Sequence, residues 1–134
     1  MAQLTQHKAY INGLIYKGTE ILKDKVLLMY GDKVEAICDA DAVPANCNTV
    51  DVEGHGIAPA FADLQVYGGD GKMFSLTPDV SSLDAIWREC LQHGTHNFQA
   101  TMATNSIDMM LESFAATKDY RQQQKPGMIG IHLE

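Results

Sequence analysis

The sequence predicts an α/β protein, in which a small antiparallel region precedes alternating strands and helices. Between residues 8 and 38, short apolar stretches are separated by turn residues such as Asn12-Gly13 and Gly31-Asp32, as in a small antiparallel sheet. After Gly56, strand-length apolar runs alternate with stretches whose apolar residues recur every three or four positions, as in parallel βαβ units. A domain boundary is therefore predicted between residues 1–56 and 57–134.

The composition excludes several classes of protein. Of the 134 residues, 46% are hydrophobic, which is enough for a sizeable core and excludes long disorder. The net charge of −7 gives no electrostatic basis for nucleic-acid or anionic-membrane binding. No apolar run approaches the roughly 20 residues of a membrane span, and the N-terminus has no signal-peptide pattern. A cytoplasmic protein is expected.

Turn residues predict how the first strands pair. Asn12-Gly13 and Gly31-Asp32 favour two-residue hairpins, so consecutive strands are expected to pair directly. A short strand is predicted at 50–52, before a glycine-containing hinge at 54–56. The three cysteines, Cys38, Cys47 and Cys90, form no CxxC pair, which argues against a disulfide framework and a cysteine zinc site.

The second segment is predicted to contain three strands and two helices. Strands are expected at 57–66, 97–104 and 128–133, with a glycine-rich loop at 68–71. The first helix is expected to open with a serine cap at Ser81 or Ser82 and to end at Gly94, and Asn105-Ser106 is expected to cap the second. The predicted buried faces are Leu83, Ile86, Trp87, Cys90 and Leu91 on the first helix, and Ile107, Met110, Leu111, Phe114 and Ala115 on the second.

Polar residues occupy alternate positions in two of these strands. Asp63, Gln65 and Tyr67 share one face of the first strand, and His132 and Glu134 share one face of the last. If both faces point inward, a carboxylate, an imidazole, an amide and a phenol converge at the carboxyl ends of the parallel strands. The alternative is that Asp63 and His132 are hydrogen-bonded core residues and that Glu134 lies in solvent.

The glycine-rich loop is a candidate phosphate or substrate loop. Backbone N–H groups around Gly68, Gly69 and Asp70 could hold a phosphate, and Lys72 could add a charge. The spacing matches neither GxGxxG nor the P-loop, so a simple strand-to-helix turn is the alternative. His93 and His96 lie at a helix end, where a structural role is expected.

Two motifs resemble a known family. The run IAPAFADLQVYGG at 57–69 resembles the (I/L)-x-P-G-F-I-D-x-Q-x-N-G signature of N-acetylglucosamine-6-phosphate deacetylases, in the amidohydrolase superfamily. The ending GIHLE at 130–134 resembles the start of that family's G-L-H-L-E-G-P signature. The opening hairpins also resemble the superfamily's N-terminal strands, so the resemblance covers nearly the whole chain. Tyr67 and Ala60 depart from the family's usual Asn and Gly.

The resemblance implies a fold and a site. It implies a portion of a β-sandwich followed by the first three βα units of a (β/α)8 barrel, which is incomplete because such a barrel takes about 250 residues. Glu134 matches a ligand of one divalent metal, zinc or alternatively iron or another divalent ion, with two histidines beyond the chain. Gln65 replaces the first His of an H-x-H pair, which suggests a single metal. Gln65, Tyr67 and His132 would line the site, and the catalytic Asp would lie outside the chain.

The resemblance also implies an activity for a parent enzyme. Family members deacetylate N-acetylglucosamine 6-phosphate to glucosamine 6-phosphate and acetate with a metal-activated water, in amino-sugar metabolism, and a homodimer is implied. The 134-residue chain alone is expected to be inactive. Two alternatives remain: another amidohydrolase acting on cyclic amides or nucleobases, and a non-catalytic αβ module that binds a phosphate ligand.

Overall fold

The computed structural model describes residues 7–134, which form two compact units divided between Pro59 and Ala60. The division falls after the boundary predicted at residue 56, because Ile57 pairs with Ile15 in a sheet of the first unit. Neither α-helix among the described residues is long and apolar enough to cross a membrane.

Among residues 7–59, seven strands form two sheets. They are β1 (His7–Ile11), β2 (Leu14–Lys17), β3 (Glu20–Leu22), β4 (Val26–Tyr30), β5 (Lys33–Cys38), β6 (Asn48–Asp51) and β7 (Gly56–Ile57), with a 3-10 turn at Ala40–Ala42. One sheet has the order β5-β4-β1-β6 and the other β3-β2-β7. The β1–β6 and β2–β7 pairs are parallel and the rest are antiparallel. Ala9, Val26 and Leu28 form the centre of the core of this unit.

The predicted hairpin at Asn12-Gly13 is wrong. β1 pairs with β4 and β6, whereas β2 pairs with β3 and β7, so the turn carries the chain from one sheet to the other. The backbone groups at this corner bond to a later segment instead of across a hairpin: the Gly54 N–H donates to the Asn12 carbonyl at 2.7 Å, and the Leu14 N–H donates to the His55 carbonyl at 3.1 Å. Gly13 packs against the same segment, since a Cβ atom there would lie 2.5 Å from Val52 Cγ2. The hairpin at Gly31-Asp32 is confirmed, since Tyr30 pairs directly with Lys33.

A parallel sheet and two helices form the second unit. Its elements are β8 (Phe61–Val66), β9 (Gly68–Gly69), β10 (Lys72–Met73), α1 (Val80–Gln92), β11 (Thr95–Met102), α2 (Ile107–Gln122) and β12 (Met128–Leu133). The main sheet has the order β12-β11-β8, and both pairs are parallel, as the alternation of strands and helices predicts. The core between helices and sheet contains Phe74, Leu83, Ile86, Cys90, Phe98, Ala100, Met102, Ala116, Tyr120 and Met128.

The glycine-rich segment is a tight β-ribbon rather than the irregular loop predicted. β9 pairs antiparallel with β10 through a turn at Asp70-Gly71, whose φ angles are 49° and 73°. Two positive φ angles are what a two-residue hairpin requires. A Cβ at Gly68 would overlap the carbonyl oxygen of Lys72, so glycine permits the close approach of the two short strands.

Helix α1 begins one residue after Asp79, and Asp79 rather than a serine is its N-cap. The Asp79 carboxylate accepts the backbone N–H of Ser82 at 2.7 Å, and Ser82 itself is buried. The predicted buried face is confirmed for Leu83, Ile86 and Cys90. Leu91, which was expected on that face, is exposed.

Helix α2 has the predicted cap but not the predicted buried face. The Ser106 hydroxyl accepts the backbone N–H of Met109, as expected of an N-cap. The fully or nearly buried residues are Ser113, Ala116 and Tyr120, whereas Ile107, Leu111 and Phe114 of the predicted face are exposed. Ser113 and Ala116 are small, so the helix can lie close to the sheet. Tyr120 then fills the space beneath it, edge-on to Phe98 with ring centroids 6.3 Å apart.

Candidate functional site at the carboxyl ends of the parallel strands

The face of the parallel sheet away from the helices is polar. Thr101 alternates along β11 with Ala100 and Met102, which belong to the core under the helices, so the Thr101 side chain lies on the opposite face. In register beside it on β12 is the half-buried His132. The buried Thr101 hydroxyl has no hydrogen-bond partner within residues 7–134, so it is available to a polar group on this face.

Three of the residues predicted for the site form one hydrogen-bonded chain. Gln65 Nε2 donates to the Tyr67 hydroxyl at 3.1 Å, and that hydroxyl donates to the Glu134 carboxylate. Tyr67 directly follows β8 and Glu134 directly follows β12. The contact therefore connects the carboxyl ends of the two outer strands of the sheet, on either side of β11.

The backbone of Glu134 is also held by β11 and the residues after it. Its N–H donates to the Met102 carbonyl at 3.1 Å, and its own carbonyl accepts the Thr104 hydroxyl at 2.6 Å. Thr104 was not predicted, because its contact depends on the register between β11 and β12, which no spacing in the sequence encodes. Asp63, in contrast, accepts the backbone N–H of Gln65 at 3.0 Å, a local contact within β8.

The carboxylate also affects the tyrosine. Because the Tyr67 hydroxyl donates to Glu134, the pKa of Tyr67 is raised above its ordinary value. Tyr67 is therefore a protonated donor at neutral pH, and the Glu134 carboxylate is its acceptor.

The described residues do not by themselves fit a catalytic metal. Residues 7–134 contain no group of three His, Cys, Asp or Glu side chains that could hold a metal ion. Glu134 is a single candidate ligand, whereas a catalytic zinc site uses about three protein ligands and an open position. Any metal at this edge of the sheet would need ligands from elsewhere.

The predicted phosphate loop is engaged with helix α1. The Asp70 N–H donates to the Glu89 carboxylate at 3.3 Å, and Arg88 donates to the Asp70 carboxylate at 2.9 Å. Lys72 Nζ donates to the Ser81 hydroxyl at 2.6 Å. At Asp70, a protein carboxylate thus already occupies the place that an anion would take.

Comparison with known proteins places the chain near sugar-phosphate deacetylases. Residues 9–57 match the family model described as the NagA composite domain. The N-acetylglucosamine-6-phosphate deacetylase of Haemophilus influenzae is 26% identical over 126 residues, which is 94% of this chain and 33% of the relative. The N-acetylgalactosamine-6-phosphate deacetylase of Shewanella sp. (strain ANA-3) is 35% identical over 78 residues, or 58% of this chain and 20% of the relative.

A solved structure agrees with these relatives. The crystal structure of the N-acetylglucosamine-6-phosphate deacetylase from Pasteurella multocida superposes with a TM-score of 0.88 at 30% identity. The match covers 95% of this chain and 34% of the solved one. The chain thus spans at most about a third of the length of the relatives it matches.

Proposed function

We propose that this chain, which is similar in sequence and fold to the first third of N-acetylglucosamine-6-phosphate deacetylases, forms the amino-terminal part of such an enzyme. The observation that carries the proposal is the superposition on the Pasteurella multocida deacetylase over 95% of this chain. The reaction would be hydrolysis of the acetamide of an amino-sugar 6-phosphate. Water adds to the amide carbonyl, the C–N bond breaks, and acetate and the free amino sugar leave.

In this proposal the two units are parts of larger structures. Residues of the first unit supply a portion of a β-sandwich, and β8, β11 and β12 are the first three strands of a (β/α)8 barrel. Active sites of such barrels lie at the carboxyl ends of the strands. This is the edge at which Gln65, Tyr67 and Glu134 are hydrogen-bonded. His132 would lie deeper on the same face, and the ribbon at Gly68, Gly69 and Asp70 would border the opening.

Glu134 is proposed as one ligand of a divalent metal, zinc or alternatively iron, whose other ligands lie outside this chain. A metal in such a site polarises a carbonyl and activates water. The chain's own contribution is the carboxylate, held by Tyr67 on its side chain and by Met102 and Thr104 on its backbone. Because one carboxylate binds a catalytic metal poorly, the 134 residues alone are proposed to be inactive.

The proposal also covers location, assembly, partners and substrate. The parent enzyme is proposed to be a cytoplasmic homodimer, and the net charge of −7 supports the absence of nucleic-acid and membrane partners. The substrate is a small amino-sugar phosphate.

The test compares the 134-residue chain with the longest protein that contains it, by release of glucosamine 6-phosphate. Activity is expected only in the longer protein, and it should fall about a hundredfold or more in Glu134→Gln. The matched control is Glu112→Gln, an exposed carboxylate on α2, which should leave activity unchanged. Release by the purified 134-residue chain, or an unaffected Glu134→Gln enzyme, would contradict the proposal.

A second substrate is favoured by one observation. The relative with the higher identity over its matched segment, 35%, carries the name of an N-acetylgalactosamine-6-phosphate deacetylase. The two sugars differ only in the configuration of one hydroxyl, so kcat/KM for both should be measured side by side. Activity toward neither, with hydrolysis of a cyclic amide or nucleobase, would favour another amidohydrolase. Metal-independent binding of a sugar phosphate by the 134-residue chain would favour a non-catalytic module.

A further inference from the structure

We propose that Tyr67 is a positioning residue for Glu134. Its hydroxyl binds one carboxylate oxygen and so holds the side chain in place at the carboxyl ends of the strands. This inference rests on the proposed function, in which Glu134 acts at that opening. Nothing in the similarity to known deacetylases assigns a role to Tyr67, and the family signature carries a different residue there.

The backbone of Tyr67 is fixed by the ribbon that follows it. The Tyr67 carbonyl accepts the backbone N–H of Phe74 at 2.9 Å, and the Phe74 side chain is fully buried in the core. Between them, Gly68 lies so close to Lys72 that no Cβ would fit. The phenol therefore starts from a rigid attachment point, although the residue as a whole is 37% exposed.

The direction of the hydroxyl is fixed by its two partners. The Gln65 amide N–H donates to the hydroxyl oxygen, so that oxygen acts as an acceptor toward Gln65. The single hydroxyl proton is then left for Glu134. A donor to a carboxylate makes a charge-assisted hydrogen bond, which is stronger than a neutral one. Gln65 and Tyr67 thus form a short chain that ends on Glu134.

Glu134 depends on this contact because its backbone alone does not orient the carboxylate. The Met102 and Thr104 contacts hold the main chain and leave the side-chain torsions free. Fixing a ligand side chain by an outer hydrogen bond is typically worth 10–100-fold in metal affinity or activity. The Tyr67 hydroxyl is the group placed to do this.

The first test needs only the 134-residue chain. Tyr67→Phe retains the ring and removes the hydroxyl, and the NMR signal of the Glu134 side-chain carboxyl carbon should move at neutral pH. The matched control is Tyr16→Phe, which removes a hydroxyl of similar exposure, 41%, in the other unit and should leave that signal in place. An unmoved signal in Tyr67→Phe overturns the inference.

The second test uses the longer protein that contains the chain. Tyr67→Phe should weaken metal retention against a chelator by about 10–100-fold and lower kcat, with KM changed by no more than about twofold. Gln65→Met, which leaves the phenol but removes its amide partner, should give a smaller loss of metal retention. Equal metal affinity in Tyr67→Phe and wild type overturns the inference, whereas an enzyme that retains metal and lacks deacetylase activity contradicts only the proposed function.

Discussion

The carboxylate of Asp79 accepts the backbone N–H of Ser82 at 2.7 Å and closes the first turn of helix α1. Ser81 donates to the same carboxylate at 2.8 Å, so the aspartate binds two donors at the helix start. These contacts, first the one from Ser82, lower the pKa of Asp79 below its ordinary value.

Removing this cap is expected to destabilise the chain. Asp79→Ala should lower the free energy of unfolding by about 1 kcal/mol, the usual cost of losing an N-cap. Asp119→Ala, at an exposed position inside α2, is the control and should change it by less than about 0.5 kcal/mol. Because the folded pKa is lowered, the contribution of Asp79 is present above the ordinary carboxyl pKa of about 3.9 and is lost as the pH falls below it. Urea unfolding at neutral pH and near pH 3 measures the stability loss and its dependence on pH. If the difference in free energy of unfolding between Asp79→Ala and Asp119→Ala is the same at both pH values, Asp79 is not the cap.

Gly127 is expected to tolerate substitution far less than Gly94. Both have positive φ, 86° and 77°, so alanine strains the backbone at each by about 1 kcal/mol. Only at Gly127 would the new Cβ overlap the Trp87 indole and lie 2.9 Å from the His96 carbonyl, whereas Gly94 has open space. Gly127→Ala should therefore cost about 3 kcal/mol in total by denaturant unfolding. Equal costs for the two variants would show that the Trp87 contact is not tight.

Tyr120 is expected to make stability depend on alkaline pH. Burial raises the pKa of Tyr120 to about 12, against about 10 for an unfolded tyrosine. Since the folded pKa is the higher one, its contribution is full below pH 10 and is lost as the pH rises toward 12. Tyr120→Phe should be less stable at neutral pH, because the hydroxyl donates to the Pro126 carbonyl at 3.0 Å, and the difference from wild type should shrink over that window. The measurement is the free energy of unfolding of wild type and Tyr120→Phe at several pH values across that window. A difference between the two proteins that stays constant with pH would refute the prediction.

The isolated chain is expected to self-associate through β8. This strand is at an edge of the parallel sheet and exposes Leu64 by 59%, and unpaired apolar edges promote pairing between chains. Leu64→Lys should lower the weight-average mass in sedimentation experiments at high concentration. Leu76→Lys, at a loop residue exposed by 72%, is the control and should have little effect. A monomeric wild-type chain at all concentrations would be inconsistent with this prediction.

Local sequence patterns predicted most strands and helices of the second unit. They did not predict which of several capping residues begins α1 or which face of α2 is buried. Asp79, Ser81 and Ser82 are all residues that cap helices, and Asp79 is the one whose side chain accepts a backbone N–H of the first turn. On α2, hydrophobicity alone favoured the face of Leu111 and Phe114. The buried face instead contains Ser113, whose small size matters only once the distance to the sheet is known.

For the candidate site, strand alternation was sufficient to group Gln65 with Tyr67 and to expect Glu134 nearby, because the carboxyl ends of parallel strands share one edge. It could not give the contacts of Met102 and Thr104, which depend on an irregular register between β11 and β12. In the first unit, the Asn12-Gly13 turn has the composition of a hairpin. Its role as a corner is decided by residues 52–55, about 40 positions later in the chain.

The corner at Asn12-Gly13 sets an order of events during synthesis. Because β1 and β2 enter different sheets, they do not pair with each other, and the last partners to be synthesised are the parallel strands β6 and β7. A nascent chain that has emerged only as far as Cys38 could pair β1 with β4, β4 with β5 and β2 with β3. It could not add β6 to the first sheet or β7 to the second. Contacts between positions so distant in sequence form slowly. The first unit should therefore acquire protease resistance on the ribosome only after Ile57 has left the exit tunnel.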